Sequence, residues 1–460
     1  MPEASLPRPV VLNYAVPFVP AYFLYMLVTI GYMYFATDVL LIAPGVIGTI
    51  FFLSKIWDAV SDPLVGFLSD QTKSRLGRRR SWMLFSAVPF GGAAIMMWSP
   101  PSGLSQTASI VWVAFSLIAF YTTFTAYAVP QLALGAELSP DPLQRARLFG
   151  ARQIGLSFGM LFAFAIGAPL IVGHPEARTN VILLSTVGAV AFAIIAIFCA
   201  RALPPQPLSA TARGAQNPFT AVRDVARNPH ARLLLFVYFI EVFGIGGTSV
   251  MTPYVLEYVT DAASAIAVVF IAFTAATTVS IPFWVRMSRR FERHRLWLVG
   301  MALQAVGYGS IAFQDEGRLT LLVVGCAING FGTGCGQTLG YAIKADIIDY
   351  DELKTGERKE GTYYATWNLA SKTGTGLMIA LGGWALQWSG YVQGVPQTDF
   401  VKQTILFVAG GVPFICIMIG MLAFTRFSLD SKAHQAIRAE LDQRAAASAT
   451  TGAAPAAPQP

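Results

Sequence analysis

Apolar runs of roughly 20 residues follow one another along most of the chain, separated by short polar segments. A helical run of this length matches the hydrocarbon thickness of a bilayer, because a helix rises about 1.5 Å per residue. The pattern therefore predicts about twelve transmembrane helices. Their predicted bounds are residues 14–38, 45–69, 82–99, 107–137, 150–172, 180–200, 233–257, 262–286, 295–313, 318–344, 362–388 and 402–426.

The polar segment between the sixth and seventh runs reads RALPPQPLSATARGAQNPFTAVRDVARNPHAR and cannot cross a membrane, because it is rich in Pro, Arg and small residues. It divides the chain into two six-helix halves. The last residues, AAASATTGAAPAAPQP, are of low complexity, which predicts disorder. The predicted domains are residues 10–200, a cytoplasmic loop 201–232, residues 233–427, and a partly disordered cytoplasmic tail 428–460.

Composition supports a membrane protein. The chain of 460 residues is 55% hydrophobic and 12% charged, with a mean hydropathy of +0.55, which is more apolar surface than a soluble core hides. The net charge of +7 does not indicate a nucleic-acid partner, because the basic residues form short clusters between apolar runs. The four cysteines lie in apolar runs without metal-ligand spacing, and the polar start MPEASLPRPV does not resemble a removable signal peptide.

Lys and Arg alternate between the loops as the helix count requires. Of 32 basic residues, 27 fall on one predicted side, whereas the other side has Arg178, Arg318 and Lys402, and Lys55 and Lys372 lie within spans. Because cytoplasmic loops carry the excess of Lys and Arg, both termini are expected in the cytoplasm. We expect a multi-pass protein of the cell membrane whose partners are the lipid bilayer and a small-molecule substrate, and which is a monomer.

A weak internal repeat links the two halves. The fourth span ends in ALGAELSPDPLQRARLFGARQIG and the tenth in AIKADIIDYDELKTGERKEG, each with an acidic residue at the helix end and Arg beyond it. Two related halves fit a carrier that rocks around a central site. Similarity between two cytoplasmic loops is the simpler alternative.

Asp58 and Asp62 are the candidate chemical centre, because they lie four residues apart within the second predicted helix and so share one face. Two carboxylates at that depth require a positive partner, since buried like charges are costly. A bound alkali cation, a proton or a basic side chain would each serve. Lys55, one turn earlier, leaves open the alternative of a structural ion pair.

The segment GFLSDQTKSRLGRRR, Gly66 to Arg80, resembles the loop signature of the major facilitator superfamily. The segments KIWDAVSDPLVG, VPQLALGAELSPDPLQRARLFGARQ, ADIIDYDELKTGERKEG and SKTG are similar to the glycoside-pentoside-hexuronide cation symporters, the melibiose permease group. The resemblance covers about residues 10 to 427. It implies an all-α integral membrane protein with twelve transmembrane helices in two six-helix pseudo-symmetric bundles, the major facilitator fold.

The same resemblance implies a coupling-cation site. Asp58, Asp62 and Thr125 match its ligands, whereas Ser61 stands where that family usually has Asn. Lys372 matches a lysine near the site that pairs with the carboxylates when the cation leaves. The implied coupling ion is Na+ or H+, with no other metal and no cofactor.

Substrate positions depart from the family. Its two sugar-binding acidic residues and its stacking Trp match Tyr22, Ala128 and Leu132 here, so a sugar loses its acceptors. This pattern also looks like the vertebrate lysophospholipid carrier, for which Lys372 would hold the phosphate. The expected function is cation-coupled import of a small organic solute, by family a sugar or glycoside, through alternating access. A lysolipid-like substrate and an uncoupled facilitator or scramblase are the alternatives.

Further polar and aromatic residues complete the candidate site. Residues expected near coupling ion or substrate are Lys372, Lys55, Tyr22, Tyr127 and Trp367. Glu241 lies within the seventh span, where facing a cavity and pairing with a neighbouring helix both remain open. Cytoplasmic charges expected to act as gates, or only to fix topology, are Asp70, Arg78, Arg79, Arg80, Glu137, Arg145, Asp346 and Arg358.

An enzyme is not expected. The four histidines fall in loops or at helix ends without a partner motif for catalysis. A passive channel would not require two carboxylates in mid-membrane with a lysine counterpart. A secondary symporter uses all of these features.

Overall fold

The computed structural model describes residues 6–139, 141–204, 225–357, 359–429 and 431–451, and the regular structure within these ranges is helical. Most of the predicted central loop, residues 205–224, lies outside them, as does Arg358. The α-helices are α1 (Arg8–Ala15), α2 (Phe18–Tyr34), α3 (Pro44–Gln71), α4 (Arg78–Trp98), α5 (Gln106–Glu137), α6 (Pro142–Phe162), α7 (Ala177–Ala202), α8 (Pro229–Tyr254), α9 (Ile266–Met287), α10 (Arg293–Ile311), α11 (Leu319–Thr355), α12 (Glu360–Trp388), α13 (Asp399–Leu406), α14 (Val412–Phe424) and α15 (Ser431–Thr451).

These helices make up the twelve predicted crossings. Short π-helical or 3-10 turns extend α2 to Val39, α6 to Leu170 and α8 to Val259, and one joins α13 to α14. In the described residues, nine segments are long and apolar enough to cross a membrane by length and composition. The other three, α3, α10 and α12, have 28, 19 and 29 residues and carry more polar side chains. One of these is the helix that contains Asp58 and Asp62.

Glycines on α6 bring its backbone against the end of α1 and the start of α2. A Cβ at Gly155 would lie 2.7 Å from the backbone oxygen of Ala15, and one at Gly159 would lie 2.5 Å from that of Val19. The spacing of four residues places both glycines on one face, the small-residue pattern by which membrane helices approach closely. The two glycines therefore allow the close approach of the helix backbones, because they carry no side chain.

We expect Gly159→Ala to destabilise the protein by about 1–3 kcal/mol, because the added methyl meets backbone that cannot move without shifting a helix. Gly150→Ala on the same helix is the matched control, since a Cβ there meets nothing within 4 Å. Thermal unfolding of the detergent-purified variants measures the difference. Equal melting temperatures for the two variants would contradict the proposed close contact.

The chain forms two compact units. The first contains residues 1–215, 249–271 and 376–405, and the second contains residues 216–248, 272–375 and 406–460. The predicted halves, 10–200 and 233–427, therefore differ from these units, because the segments 249–271 and 376–405 associate with the first half of the chain.

Close contacts within the first unit account for that association. Phe164 stacks on Phe270 with ring centroids 4.2 Å apart. A Cβ at Gly48 of α3 would lie 2.9 Å from the backbone oxygen of Ile379, so glycine lets α12 approach α3 closely. The aromatic core of this unit joins α4, α5 and α7 through Phe90, Phe120 and Phe192.

In the second unit, the C-terminal helix α15 docks on the end of α11. His434 Nε2 lies 3.0 Å from Asp349 Oδ2, and Arg438 Nη1 lies 3.5 Å from Asp349 Oδ1. Arg444 donates to the backbone oxygen of Leu353 at 2.9 Å. The helix continues to Thr451, into the segment whose composition predicts disorder, and residues 452–460 lie outside the described ranges.

Candidate functional site

Thr125 of α5 joins the two carboxylates of α3. Its Oγ1 lies 3.0 Å from Asp58 Oδ1 and 3.1 Å from Asp62 Oδ1. Asp58 is 3% exposed and Thr125 is 2% exposed, so this contact is shielded from solvent. A hydroxyl carries one hydrogen and donates to one carboxylate at a time, while its oxygen keeps lone pairs for a cation. The structure thus brings together three of the four predicted ligand side chains.

Ser61, the fourth predicted ligand, uses its hydroxyl differently. It lies on the same helix and donates to the backbone oxygen of Asp58 at 3.1 Å. Serine hydroxyls within helices commonly bond to a carbonyl of the preceding turn. Its oxygen is buried beside the carboxylates, but its proton is directed along its own helix.

Lys55 is held by aromatic residues. Its Nζ donates to the Tyr25 hydroxyl at 2.9 Å and lies 4.1 Å from the centroid of the Tyr121 ring. Within the described ranges it forms no salt bridge with Asp58. The structural ion pair that the sequence left open is therefore not formed, and cation–π contacts stabilise the lysine instead.

The predicted aromatic residues fall in different surroundings. Tyr22 is half-buried and stacks on Tyr25 with centroids 5.6 Å apart. Tyr127 is fully buried and packs 4.9 Å from Phe192, so its ring contributes to the core of the first unit. The other two residues, Trp367 and Lys372, lie on α12 in the second unit, where Trp367 is 2% exposed.

Arg79 is the centre of the predicted charge cluster. It is buried and donates to the Asp70 carboxylate, to Ser69 Oγ at 2.6 Å and to Glu137 Oε1 at 3.2 Å. Arg78 donates to the same Glu137 oxygen at 2.8 Å. Arg79 therefore joins Asp70 of α3 to Glu137 of α5.

Two other predicted gate residues have different partners. Arg80 donates to the backbone oxygens of Ala200 and Arg201 at 2.8 and 2.9 Å, and so satisfies carbonyls at the end of α7. Asp346 lies 2.9 Å from Arg293 Nη1 and 3.4 Å from His434 Nε2. Arg358, another predicted gate residue, lies outside the described residues.

Comparison with known proteins decides the family. A family model described as MFS/sugar transport protein matches residues 13–431. This chain belongs to that family. It is therefore a multi-pass membrane transporter and not an enzyme.

Relatives and solved structures agree with this assignment. The isoprimeverose transporter of Lactiplantibacillus pentosus is 26% identical over 431 residues, which are 91% of this chain and 88% of the relative. The sodium-dependent lysophosphatidylcholine symporter 1-A of Danio rerio is 23% identical over 443 residues, 86% of this chain and 81% of the relative. The structure of a bacterial homologue of the human lysosomal transporter Spinster aligns with a TM-score of 0.71 at 12% identity, covering 92% of this chain and 98% of that one, which shows the shared fold.

Sequence reasoning missed a second polar cluster in the first unit of this MFS transporter. Asp38, at the end of the first span, accepts hydrogen bonds from Tyr391 at 2.6 Å, from Thr37 at 2.7 Å and from Tyr258. Thr37 also contacts the Tyr254 hydroxyl at 2.7 Å. Burial raises the pKa of the Tyr391 phenol well above its usual range, so this hydroxyl remains a donor. The sequence offered two signals for this cluster. Asp38 is an acidic residue at the end of the first span, and Tyr254 and Tyr258 lie four residues apart at the end of the seventh.

A third polar group lies in the second unit of the transporter. Glu241 is 9% exposed, and within the described ranges it forms no salt bridge. Lys344 of α11 and Gln304 of α10 are also buried, at 7% and 0% exposure. The sequence analysis singled out Glu241 alone.

Proposed function

We propose that this transporter is a cation-coupled symporter whose ion site consists of Asp58, Asp62 and Thr125. The observation that carries the proposal is a buried hydroxyl, that of Thr125, within 3.1 Å of both carboxylates. Hard cations such as Na+ favour several oxygen ligands, and a proton shared by two carboxylates is the other possibility. No further cofactor is required.

Two clusters at opposite ends of α3 support alternating access. Asp70 and Arg79 lie at its C-terminal end, whereas Asp38 precedes its N-terminal end. At about 1.5 Å per residue, the 28 residues of α3 span roughly the thickness of a bilayer. We assign the Arg79 cluster to the cytoplasmic gate and the Asp38 cluster to the outer gate, with both termini cytoplasmic and the monomer in the cell membrane.

The proposed solute is a small glycoside or sugar. The family match and the isoprimeverose transporter support this class. A lysolipid is the second candidate, because Tyr22 and Ala128 occupy the acidic sugar positions and a lysophosphatidylcholine symporter is similar over most of the chain.

A thermal-shift screen of the purified protein tests this function. Glycosides, uronides and lysolipids are added with Na+ or with an equal concentration of K+ or N-methylglucamine. We expect one class to raise the melting temperature more with Na+ than with the substitutes, since ion and solute bind the same folded state. Uptake of that ligand into proteoliposomes then follows a Na+ or a pH gradient. Uptake that depends on neither gradient would contradict ion coupling and favour an uncoupled facilitator.

A further inference from the structure

The ammonium of Lys344 lies in a cage of three aromatic rings in the second unit. Its Nζ is 4.1 Å from the centroid of Tyr238, 4.9 Å from Trp367 and 5.1 Å from Tyr341. The side chain is 7% exposed, and among the described residues no carboxylate lies within salt-bridge distance. Cation–π contacts stabilise the charge without neutralising it. The ammonium can therefore still form a salt bridge with a bound anion.

Glu241 faces the same region from α8. It lies three residues after Tyr238, so the two side chains share a helix face. Its carboxylate is within electrostatic range of Lys344 without forming a salt bridge. Its Oε1 lies 3.8 Å from the point where Gly336 would carry a Cβ, so a glycine on α11 leaves room for the carboxylate.

Gln304 of α10 adds a buried amide. The residue is fully buried and its amide interacts with the Glu241 carboxylate, although neither Nε2 nor Oε1 has a hydrogen bond of ordinary length in the described part of the chain. Its Cγ is 3.0 Å from the Cβ position of Gly332, one turn before Gly336. Trp297 Nε1, 3.5 Å from the Cβ position of Gly336, is also buried, and it has no hydrogen-bond partner among the described residues.

A buried ammonium without a salt bridge, a buried carboxylate and a buried amide are each costly inside a helical bundle, and membrane proteins place such groups where they contact a solute or ion. Together they offer a cation for an oxyanion, two donors and two kinds of acceptor.

We propose that Lys344, Glu241 and Gln304 form a solute subsite in the second half of the transporter. Lys344 binds an anionic oxygen group, a carboxylate or a phosphate, while Glu241 and Gln304 bind hydroxyl groups of the same molecule. A neutral polyol would leave Lys344 without a salt bridge, so the subsite favours anionic solutes. This inference rests on the proposed transport of a hydroxyl-bearing solute, and it adds that the solute is anionic.

A pair of matched probes tests the subsite. Binding of p-nitrophenyl β-glucuronide and p-nitrophenyl β-glucoside to purified wild type and Lys344→Met is measured by calorimetry, with lysophosphatidic acid as a third probe. We expect Lys344→Met to weaken the glucuronide at least about tenfold and to leave the glucoside within about twofold, because only the former has a charge for Lys344. Lys344→Arg is expected to retain most of the glucuronide affinity. Dependence on Lys344 for lysophosphatidic acid alone would assign the phosphate of a lipid as the anion.

A double variant protects the test against misfolding. Lys344→Met leaves Glu241 without a nearby opposite charge, so Glu241→Gln with Lys344→Met is made as well and should fold with the loss of both charges. Loss of discrimination between the anionic and neutral probes in this folded variant supports the subsite.

Three outcomes separate the two proposals. Equal effects of Lys344→Met on charged and neutral probes, or no effect on either, overturn the subsite while gradient-driven uptake leaves the symporter intact. Tighter binding of the glucuronide to the folded double variant also overturns it. Wild type that binds none of the three probes and takes up none of them overturns this inference together with the proposed solute class.

Discussion

Asp58→Asn and Asp62→Asn are each expected to abolish concentrative uptake of the transported solute in proteoliposomes. Each replacement keeps the shape of the side chain and a hydrogen bond to Thr125, but removes one charge from the ion site. Contacts to a charged group contribute about 1.5–3 kcal/mol, which corresponds to about 10- to 100-fold in ion affinity per carboxylate. Both carboxylates bind one ion in this proposal, so either loss prevents coupling.

Uptake driven by a Na+ or pH gradient is compared with the folded fraction, measured by size-exclusion chromatography and thermal unfolding. Thr125→Val is expected to reduce ion affinity as well, because its hydroxyl contacts both carboxylates. Thr123→Val on the same helix is the matched control, since the Thr123 hydroxyl donates to the backbone of Ala119 at 2.7 Å. Aspartate variants that still concentrate the solute at the wild-type rate would exclude this site from coupling.

Arg79→Gln is expected to have the largest effect on stability. The guanidinium is buried and contacts Asp70, Glu137 and Ser69, so its loss removes a cation from Asp70 and leaves Arg78 as an arginine partner of Glu137. Removing one partner of a buried pair costs about 3–5 kcal/mol. The carboxylate side chains are 27% and 24% exposed, which lowers the expected loss to about 2–3 kcal/mol.

Arg79→Lys distinguishes charge from geometry. A lysine supplies the charge as a point and cannot span the three acceptors, so it is expected to recover less than half of the lost stability. Arg75→Gln is the control, because Arg75 is an exposed residue of the loop that precedes α4. Thermal unfolding in detergent provides the comparison. If the Arg79→Gln and Arg75→Gln variants had equal melting temperatures, the Arg79 cluster would serve only to fix the membrane topology.

The gate assignment gives Arg79→Gln a second consequence. A transporter whose inner charges no longer hold helix ends together changes the balance between its states. We therefore expect the uptake rate of Arg79→Gln, measured well below its melting temperature, to decrease by more than its folded fraction does. Asp70→Asn, which removes one of the contacts, is expected to show a smaller change of the same kind.

Local pattern determined much of this molecule. The positions of the helices follow from apolar runs, because a membrane requires each crossing to satisfy its own backbone hydrogen bonds. The shared face of Asp58 and Asp62 follows from their spacing, since residues four apart lie one above the other on a helix. The adjacency of Asp70 to the Arg78–Arg80 cluster followed from the short turn between α3 and α4.

Only the tertiary structure shows which residues distant in sequence contact each charged side chain. Lys55 bonds to Tyr25 instead of Asp58, Arg80 binds the end of α7, and Asp38 binds a tyrosine more than 350 residues away. No periodicity encodes such choices, because they depend on which helices pack together and on small differences in the cost of burying each charge. The cage around Lys344 is the clearest case, since its three rings belong to α8, α11 and α12. Sequence supplied the charges and their depth, and packing between helices decided what each charge touches.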